Sequence, residues 1–320
     1  MKEIDLKDRK ILYQLDVNAR QSNARIGKKV RLSPEVVFHR IRNLEKRGII
    51  EGYYATLDPT KFGYKAYRVY VKTQDLTLET EKELFDWLVA NKKTYWVGRI
   101  EGAWDVDFLI WVKDDYEFEQ EWLRFLQQFR KYVHSKLIQI YTRLHQFHRP
   151  LLLGKTQDEE PEVVLFSQDR ATLDQTDFKI LKAIATDARG SLTSLSKKVG
   201  LSPKNVSYRL KALLRKGVIR DFRAKLNVEK LGYQSYKIEI DLNDHSVLRK
   251  LYSFAKLHPF ITYINQVIGL ADFDADVEIP NGHTIMELLG QLRKEFGAAI
   301  REIRYFTIRK VYKISYLPEL

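Results

Sequence analysis

The sequence predicts an α+β protein in which one unit, helices first and a mixed helix–sheet domain second, occurs twice along the chain. Three observations carry this. Residues 4–67 align without a gap to residues 173–236, with Asp5 set against Asp174 and the same offset held throughout. Each copy opens on apolar residues at helical spacing. Each then runs through strand-like and helical stretches in the order βαββαβ. Identities are spread along the aligned stretch: Lys10-Ile11-Leu12 with Lys179-Ile180-Leu181, Ala19-Arg20 with Ala188-Arg189, and Lys28-Lys29-Val30 with Lys197-Lys198-Val199. They continue in Leu32-Ser33-Pro34 with Leu201-Ser202-Pro203, Arg40 with Arg209, Gly48 with Gly217, and Gly63-Tyr64 with Gly232-Tyr233. Chance does not hold one register for so long, and the period is too long for a solenoid.

In the first copy Ile4, Ile11, Leu12 and Leu15 form one apolar stripe of a first helix. Ser22 can cap a second short helix carrying Ile26 and Val30. Ser33 and Pro34 supply an N-cap and a first-turn proline for a third, whose Val37, Ile41 and Leu44 repeat at i, i+4, i+7. Gly48 stops it. Ser202, Pro203, Val206, Leu210, Leu213 and Gly217 repeat the pattern in copy two. Three short helices with a tight turn before the third describe a helix-turn-helix. The following Ile49–Leu57 alternates like a strand pair with a turn and reads as a wing. Arg31 stands where copy two has Gly200; if the turn needs a left-handed residue, Arg31 carries about 1 kcal/mol of strain.

The second part of copy one reads as strand Tyr67–Val71, helix Leu78–Ala90, strands Tyr95–Ile100 and Val106–Val112, helix Glu117–Tyr132 and strand Leu137–Phe147. Copy two follows with Tyr236–Leu242, a helix near Val247–Leu257, Tyr263–Ile268, Phe273–Ile279, a helix over Thr284–Phe296 and Ile303–Tyr312. This is the order of a ferredoxin-like plait. The domain plan is therefore a winged helix-turn-helix over 1–62, a plait over 63–150, a linker over 151–172, a second winged helix-turn-helix over 173–231 and a second plait over 232–320. Gly154 to Pro161 is polar and Pro-terminated, as a linker is. Its Gly154-Lys155-Thr156 lacks the upstream glycine and following helix of a phosphate loop.

Composition narrows the function. Across 320 residues, 55 Lys and Arg against 42 Asp and Glu leave a formal charge of +13, which favours a polyanionic partner, double-stranded DNA before an acidic membrane. The absence of cysteine excludes disulfides, cysteine-ligated zinc and thiol nucleophiles. No stretch approaches 18 apolar residues and the N-terminus has no apolar leader, so a cytoplasmic chain with no membrane span is expected. The seven histidines are scattered, and His145 and His148 fall on opposite faces of one strand. No nucleophilic triad or glycine-rich nucleotide loop stands out, so no catalytic residue, metal or cofactor is expected and the chain reads as a non-enzyme.

Burying Val37, Ile41 and Leu44 turns Glu35, Val36, Phe38, His39, Arg42 and Asn43 outward, with Arg40, Lys46 and Arg47 flanking. In copy two the outward set is Lys204, Asn205, Ser207, Tyr208, Lys211 and Ala212, flanked by Arg209, Arg215 and Lys216. The first turn of such a helix enters the major groove, where side chains reach base edges. Flanking cations hold phosphates and set register. The helix N-termini at Ser33 and Ser202 add donor amides for phosphate. Because the two faces differ in residue type, two unlike half-sites are expected.

The Leu-Ser-Pro third helices, Gly48-Ile49-Ile50 and Gly217-Val218-Ile219, Phe62-Gly63-Tyr64 and Leu231-Gly232-Tyr233, and the Gly-x-x-Asp hairpins together resemble the Lrp/AsnC (feast/famine) regulators, fused in tandem over nearly the whole chain. The resemblance implies a plait that dimerises and senses a small molecule, with an amino-acid effector at the seam between plaits near the Gly-x-x-Asp loop. Carried over by position, it implicates Gly102, Asp105, Gly269 and Asp272. The loops differ inside, Ala103-Trp104 against Leu270-Ala271, and turn chemistry alone also explains Gly-x-x-Asp. Family dimers stack plait sheets, which here implies a pseudo-dimer within the chain and a homo-oligomer beyond it. Asp272, Asp274, Asp276 and Glu278 share one strand face, as do Arg68, Tyr70 and Lys72. Facing each other, they would favour pairing of copy one with copy two; otherwise the acids are solvated or pair within their own sheet to Lys237. A second group of this architecture, the siroheme decarboxylases, implies a His and an aromatic-Asn pair in the plait hairpin; Arg99-Ile100-Glu101-Gly102-Ala103-Trp104-Asp105 has neither.

Overall fold

The computed structural model describes residues 4–154, 163–166 and 169–318. Lys155 and Thr156 of the glycine–lysine–threonine run lie outside the described residues. Unit one begins with helices α1 (Leu6–Val17), α2 (Asn23–Val30) and α3 (Pro34–Lys46), each capped by a side chain, from Asp5, Ser22 and Ser33. Their apolar faces close on Ile11, Leu12, Leu15, Ile26, Val30, Val37, Ile41 and Leu44. Strand β1 (Ile50–Leu57) follows, then β2 (Lys65–Thr73), α4 (Leu78–Ala90), β3 (Thr94–Glu101), β4 (Val106–Val112), α5 (Asp115–Phe129) and β5 (Val133–Gln146). A short strand β6 (Val163–Leu165) leads to unit two: α6 (Gln175–Ile184), α7 (Leu192–Val199), α8 (Pro203–Arg215) and β7 (Ile219–Leu226). Its second part is β8 (Tyr233–Leu242), α9 (Leu248–Leu257), β9 (Ile261–Ile268), β10 (Phe273–Pro280), α10 (Ile285–Phe296) and β11 (Ile300–Ile314).

Two expectations change here. The stretch expected to fold back as a wing is one continuous strand, and β1 pairs antiparallel with its own repeat, β7. Gly52 does not take a left-handed backbone, and Asp221 stands at its place in copy two, so neither strand turns back there. Within 151–172, Pro150–Leu153 forms a 3-10 turn whose Leu151 and Leu152 join the core of the first helical domain, and β6 pairs with β5. Apolar residues in a polar segment drive that ordering.

The plait strands run in the sheet order β2-β4-β3-β11-β8-β10-β9-β5, and a further β2–β5 pairing closes the ring, with β6 added outside β5. The two plaits thus join edge to edge at β3–β11 and β5–β9, leaving no open edge at either seam. Outward-facing Val69, Val97 and Phe108 pack under Leu84, Phe85 and Leu88 of α4 and Trp122, Phe125 and Phe129 of α5. Copy two repeats this under α9 and α10. The inward faces are polar instead: Arg68, Asp107, Gln139, Lys237, Glu239, Asn265 and Asp274 are all buried.

The proposed charge complementarity between plaits is mostly replaced by pairing within each plait. Arg68 forms a bidentate pair with Asp107 of its own plait. Lys237 pairs with Asp274 and Asp276. Lys72 pairs with Asp105 at 2.8 Å, and Asp272 with His245 at 3.2 Å. Charged side chains taken out of water need the nearest partner, and adjacent strands of one sheet supply it first. Glu278 alone of the four acids crosses, to Arg149 at 2.9 Å.

Candidate nucleic-acid interface

Helix α3 presents its first turn outward because its other face is locked. Ser33 Oγ accepts from the Val36 amide at 3.3 Å, and Val37, Ile41 and Leu44 are buried. Glu35, Val36, Phe38, His39, Arg42, Asn43 and Lys46 are exposed. Phe38 and His39 meet edge to face at 5.5 Å between centroids. Glu35 is held below the ordinary carboxylate range by its own backbone amide and the Ser33 hydroxyl. A carboxylate on the first turn repels phosphate and can accept from cytosine N4. Arg42 leans on Glu45 at 3.1 Å, and Glu45 also takes the Tyr53 hydroxyl at 2.7 Å.

Helix α8 is built the same way on Val206, Leu210 and Leu213, with Ser202 capping the Asn205 amide at 3.3 Å. Lys204, Asn205, Tyr208, Lys211 and Arg215 are exposed and Ser207 is half-buried. Lysine at 204 against glutamate at 35 makes the second face the more basic at the first turn.

The structure turns Arg40 and Arg209 another way. Arg40 reaches Asp5 and Asp8 at 2.8 and 2.7 Å, and Arg209 reaches Asp174 and Asp177, both at 2.8 Å. Each guanidinium pins the third helix to the first helix of its own domain, and the carboxylates raise its pKa further. These two arginines belong to the fold rather than to the outward face. The acid partners sit at the N-terminus of α1 and α6, where capping chemistry wants them in any case.

The two helix-turn-helix domains are joined as well as repeated. Arg20 Nη1 donates to Ala188 O at 2.5 Å, while Arg189 donates to Ala19 O and, at 3.0 Å, to Gln21 O. Together with β1–β7, these bonds hold one reading helix in fixed relation to the other. The Ala-Arg repeat was visible in sequence; its crossing from copy to copy was not.

Behind this joint lies a buried charge cluster. Asp16, fully buried at the end of α1, accepts from Arg223 Nη2 on both oxygens at 2.8 Å, from Arg149 Nη1 at 2.8 Å and from the Arg149 amide at 2.9 Å. Burial works against its charge, but Arg223 and Arg149 outweigh burial and hold its carboxyl below the ordinary range. The sequence signal was an acid within the apolar spacing of α1, where copy two carries Ala185.

The Gly-x-x-Asp loops do reach the plait seams. A side chain on Gly102 would press on Phe306 of β11, and one on Gly269 on Gln139 of β5. Asp105 Oδ2, however, accepts from the Thr73 amide and hydroxyl at 2.7 and 2.9 Å. Asp272 Oδ2 accepts from the Leu242 amide at 2.7 Å. Both carboxylates tie the hairpin to the neighbouring strand. No group of three or more His, Cys, Asp or Glu among the described residues is placed to hold a metal ion, and no helix there is long and apolar enough to cross a membrane.

Two exposed, capped third helices on paired helical domains, carried by a ring of two plaits, define the class: a tandem helix-turn-helix protein. A family model described as winged helix-turn-helix DNA-binding matches residues 4–51 and again 173–220. An HTH-type transcriptional regulator of Pyrococcus furiosus is 29% identical over 149 residues, covering 43% of this chain and 96% of the relative. The leucine-responsive regulatory protein of Escherichia coli is 45% identical over 58 residues, 18% of this chain and 35% of that protein. A proline dehydrogenase transcriptional activator of Rhizobium radiobacter is 47% identical over 73 residues, 22% of this chain. The chain spans about half the length of that activator, 47%. By sequence the chain holds two winged helix-turn-helix units in tandem and is similar to transcription regulators over each of the matched stretches. Among solved structures, the siroheme decarboxylase NirDL shares the fold with a TM-score of 0.64 at 12% identity, covering 98% of this chain and 94% of that one.

Proposed function

We propose that the chain is a sequence-specific double-stranded DNA-binding transcription regulator that reads two unlike half-sites with α3 and α8. The observation that carries it is the pair of exposed helix faces, running from Glu35 to Asn43 and from Lys204 to Lys211, on domains bound to each other by β1–β7. One helix enters each of two successive major grooves, with half-site centres about one helical turn or a multiple apart. Ser33 and Ser202 amides, Lys46 and Arg215 contact phosphates, while Glu35, Val36, Phe38, His39, Arg42, Asn43, Lys204, Asn205, Ser207, Tyr208 and Lys211 face the bases. An amino-acid effector at the plait seam would act through Gly102 and Gly269, where the loops meet the opposite plait; Asp105 and Asp272 shape those loops. Selection from random duplexes, followed by salt-titrated binding to the winner, tests the reading. An asymmetric selected site, with log K falling in proportion to the phosphates contacted, is expected. No enrichment would overturn it.

One observation favours a second reading: the full-length correspondence in fold with NirDL, a protein also solved with an iron-uroporphyrin III analogue. A tandem tetrapyrrole enzyme would bind an iron porphyrin with a shifted Soret band. A chain that gives no such shift and selects DNA is a regulator.

A further inference from the structure

A groove of about 840 Å³ runs between α9 and α10 on the outer side of the second plait. Aromatic rings line much of it. Phe254, His258, Phe260 and His283 form a chain with successive ring centroids 5.4, 5.2 and 5.5 Å apart. Phe254, His258 and Phe260 are half-buried and His283 is exposed, so each ring keeps surface open to solvent. Leu257, also in the lining, is 61% exposed. His258 Nδ1 accepts from the Phe260 amide at 3.3 Å, which leaves the ring proton on Nε2, toward Gln291 Oε1 at 3.2 Å. Burial moves the His258 pKa down, so at neutral pH this ring is an uncharged wall.

The first plait closes the same place with charge. Lys93, at the position of Phe260, pairs with Glu117 at 2.6 Å and with Glu121 at 3.1 Å. Asn91, at the position of His258, donates to Glu121 at 3.0 Å, and Arg124, at that of Gln291, reaches Glu121 at 2.8 Å. In copy two Leu288 stands for Glu121 and Thr284 for Glu117, so that network is gone, and Phe254 replaces the larger Trp87. A plait of this design therefore needs no open aromatic groove, and apolar surface left facing water in this way marks a binding site. The charges at the groove are uneven. Arg249 and Lys250, in the first turn of α9, line it and make no ion pair among the described residues. Of the lining acids Glu287 is taken by His283 at 2.8 Å, which leaves Glu295 against two cations. Lys250 and Phe254 stand four residues apart on one face of α9, about 6 Å along its axis.

We propose that this groove binds a small aromatic carboxylate, its ring against Phe254, His258 and Phe260 and its carboxylate toward Arg249 and Lys250. A ring with a side chain of about three carbons spans that step, and the volume also admits a bicyclic ring. Phe260 packs against the core of the first helical domain as well, so an occupant resting on it bears on the domain that carries α3. The binding claim does not rest on DNA recognition.

The test is calorimetric titration of the full chain, without DNA, with 3-phenylpropionate, indole-3-propionate and 2-naphthylacetate, set against 3-phenylpropanol and pentanoate as half-molecules. Proton NMR of the histidine rings locates the site. At least one aromatic carboxylate is expected to bind, to shift the His258 and His283 signals, and to exceed both half-molecules by roughly tenfold or more. Lys250→Glu and Phe260→Lys each install the residue that copy one has. Lys250 is exposed, so Lys250→Glu should leave circular dichroism and melting unchanged. It should weaken the carboxylates roughly tenfold and leave 3-phenylpropanol unmoved. Phe260→Lys should weaken every aromatic probe roughly tenfold. Binding of no aromatic carboxylate, 3-phenylpropanol bound as tightly as 3-phenylpropionate, shifts confined to other histidines, or affinity unmoved by Lys250→Glu would each overturn the proposal.

Discussion

Replacing Asp16 by asparagine tests whether the joint between the units is an electrostatic structure or merely a packed one. Asp16 is completely buried and receives three guanidinium hydrogen bonds at 2.8 Å from two arginines. Arg149 keeps Glu278 after the change, at 2.9 Å, but Arg223 loses its main counter-charge and retains only Asp221 at 4.0 Å and the backbone carbonyls of residue 16 and Phe147. A buried cation left without its partner costs about 3–5 kcal/mol. Asp16→Ala removes the hydrogen-bonding group together with the charge and installs the residue found at 185. Urea unfolding followed by circular dichroism, extrapolated to water, reads the difference. The acid limb gives a second measurement. Because the folded carboxyl is held below its unfolded value of 3.8, its stabilisation is fully present above that pH and is lost as pH falls through the folded value. The gap between the native chain and Asp16→Asn should therefore be flat from neutral pH to about 5 and narrow below about 4. A loss under about 1 kcal/mol at neutral pH, the size of an exposed ion pair, would refute the argument.

Three further outcomes follow from single residues. Arg31 holds a left-handed backbone at φ 57°, where the repeat has Gly200 at φ 73°, so Arg31→Gly should raise stability by about 1 kcal/mol in the same urea assay. Arg40→Ala should cost under about 1 kcal/mol of stability and leave the salt slope of DNA binding unchanged, whereas Lys46→Ala should reduce that slope by about one unit. Glu239 is pushed up to about 7 by burial, then by Asp274, above an unfolded value of 4.5. The stabilisation this gives is full below pH 4.5 and disappears as pH rises to 7, so stability of the native chain relative to Glu239→Gln should fall by about 3 kcal/mol across that window, read from urea midpoints at fixed pH.

What could be read in advance was what is local or repeated. Ser33 and Pro34 announce a helix start, and Val37, Ile41 and Leu44 its buried face, because capping and 3.6-residue spacing depend on neighbours in sequence. The duplication was visible as register. Which strand pairs with which was not, since β1 alternates equally well for a hairpin or for a partner in the other copy, and Gly52 suits either. The same limit applies to charge. Arg40 read as a phosphate contact because a basic residue beside an outward face is ambiguous until Asp5 and Asp8 come within 3 Å of it. Asp107 drew no notice at all, yet it satisfies Arg68 in the ring interior.

The divergence between the copies explains why one chain holds both. Tyr54 of β1 sits opposite Arg223 of β7. A two-fold pair of unit one would set Tyr54 against Tyr54, and each buried Asp16 would lose Arg223 and keep only Arg149. A pair of unit two would bring Arg223 against Arg223 with only Ala185 where the acid should be. Arg149 likewise corresponds to Tyr316, which stacks on Tyr54 at 4.0 Å instead of reaching an acid. The pairing of one with two gives Asp16, Arg149, Arg223 and Glu278 opposite charges at hand, which a pair of unit two, with Arg223 against Arg223 and no Asp16, does not. With the joint asymmetric in this way the outer faces of α3 and α8 need not match, as Glu35 against Lys204 shows.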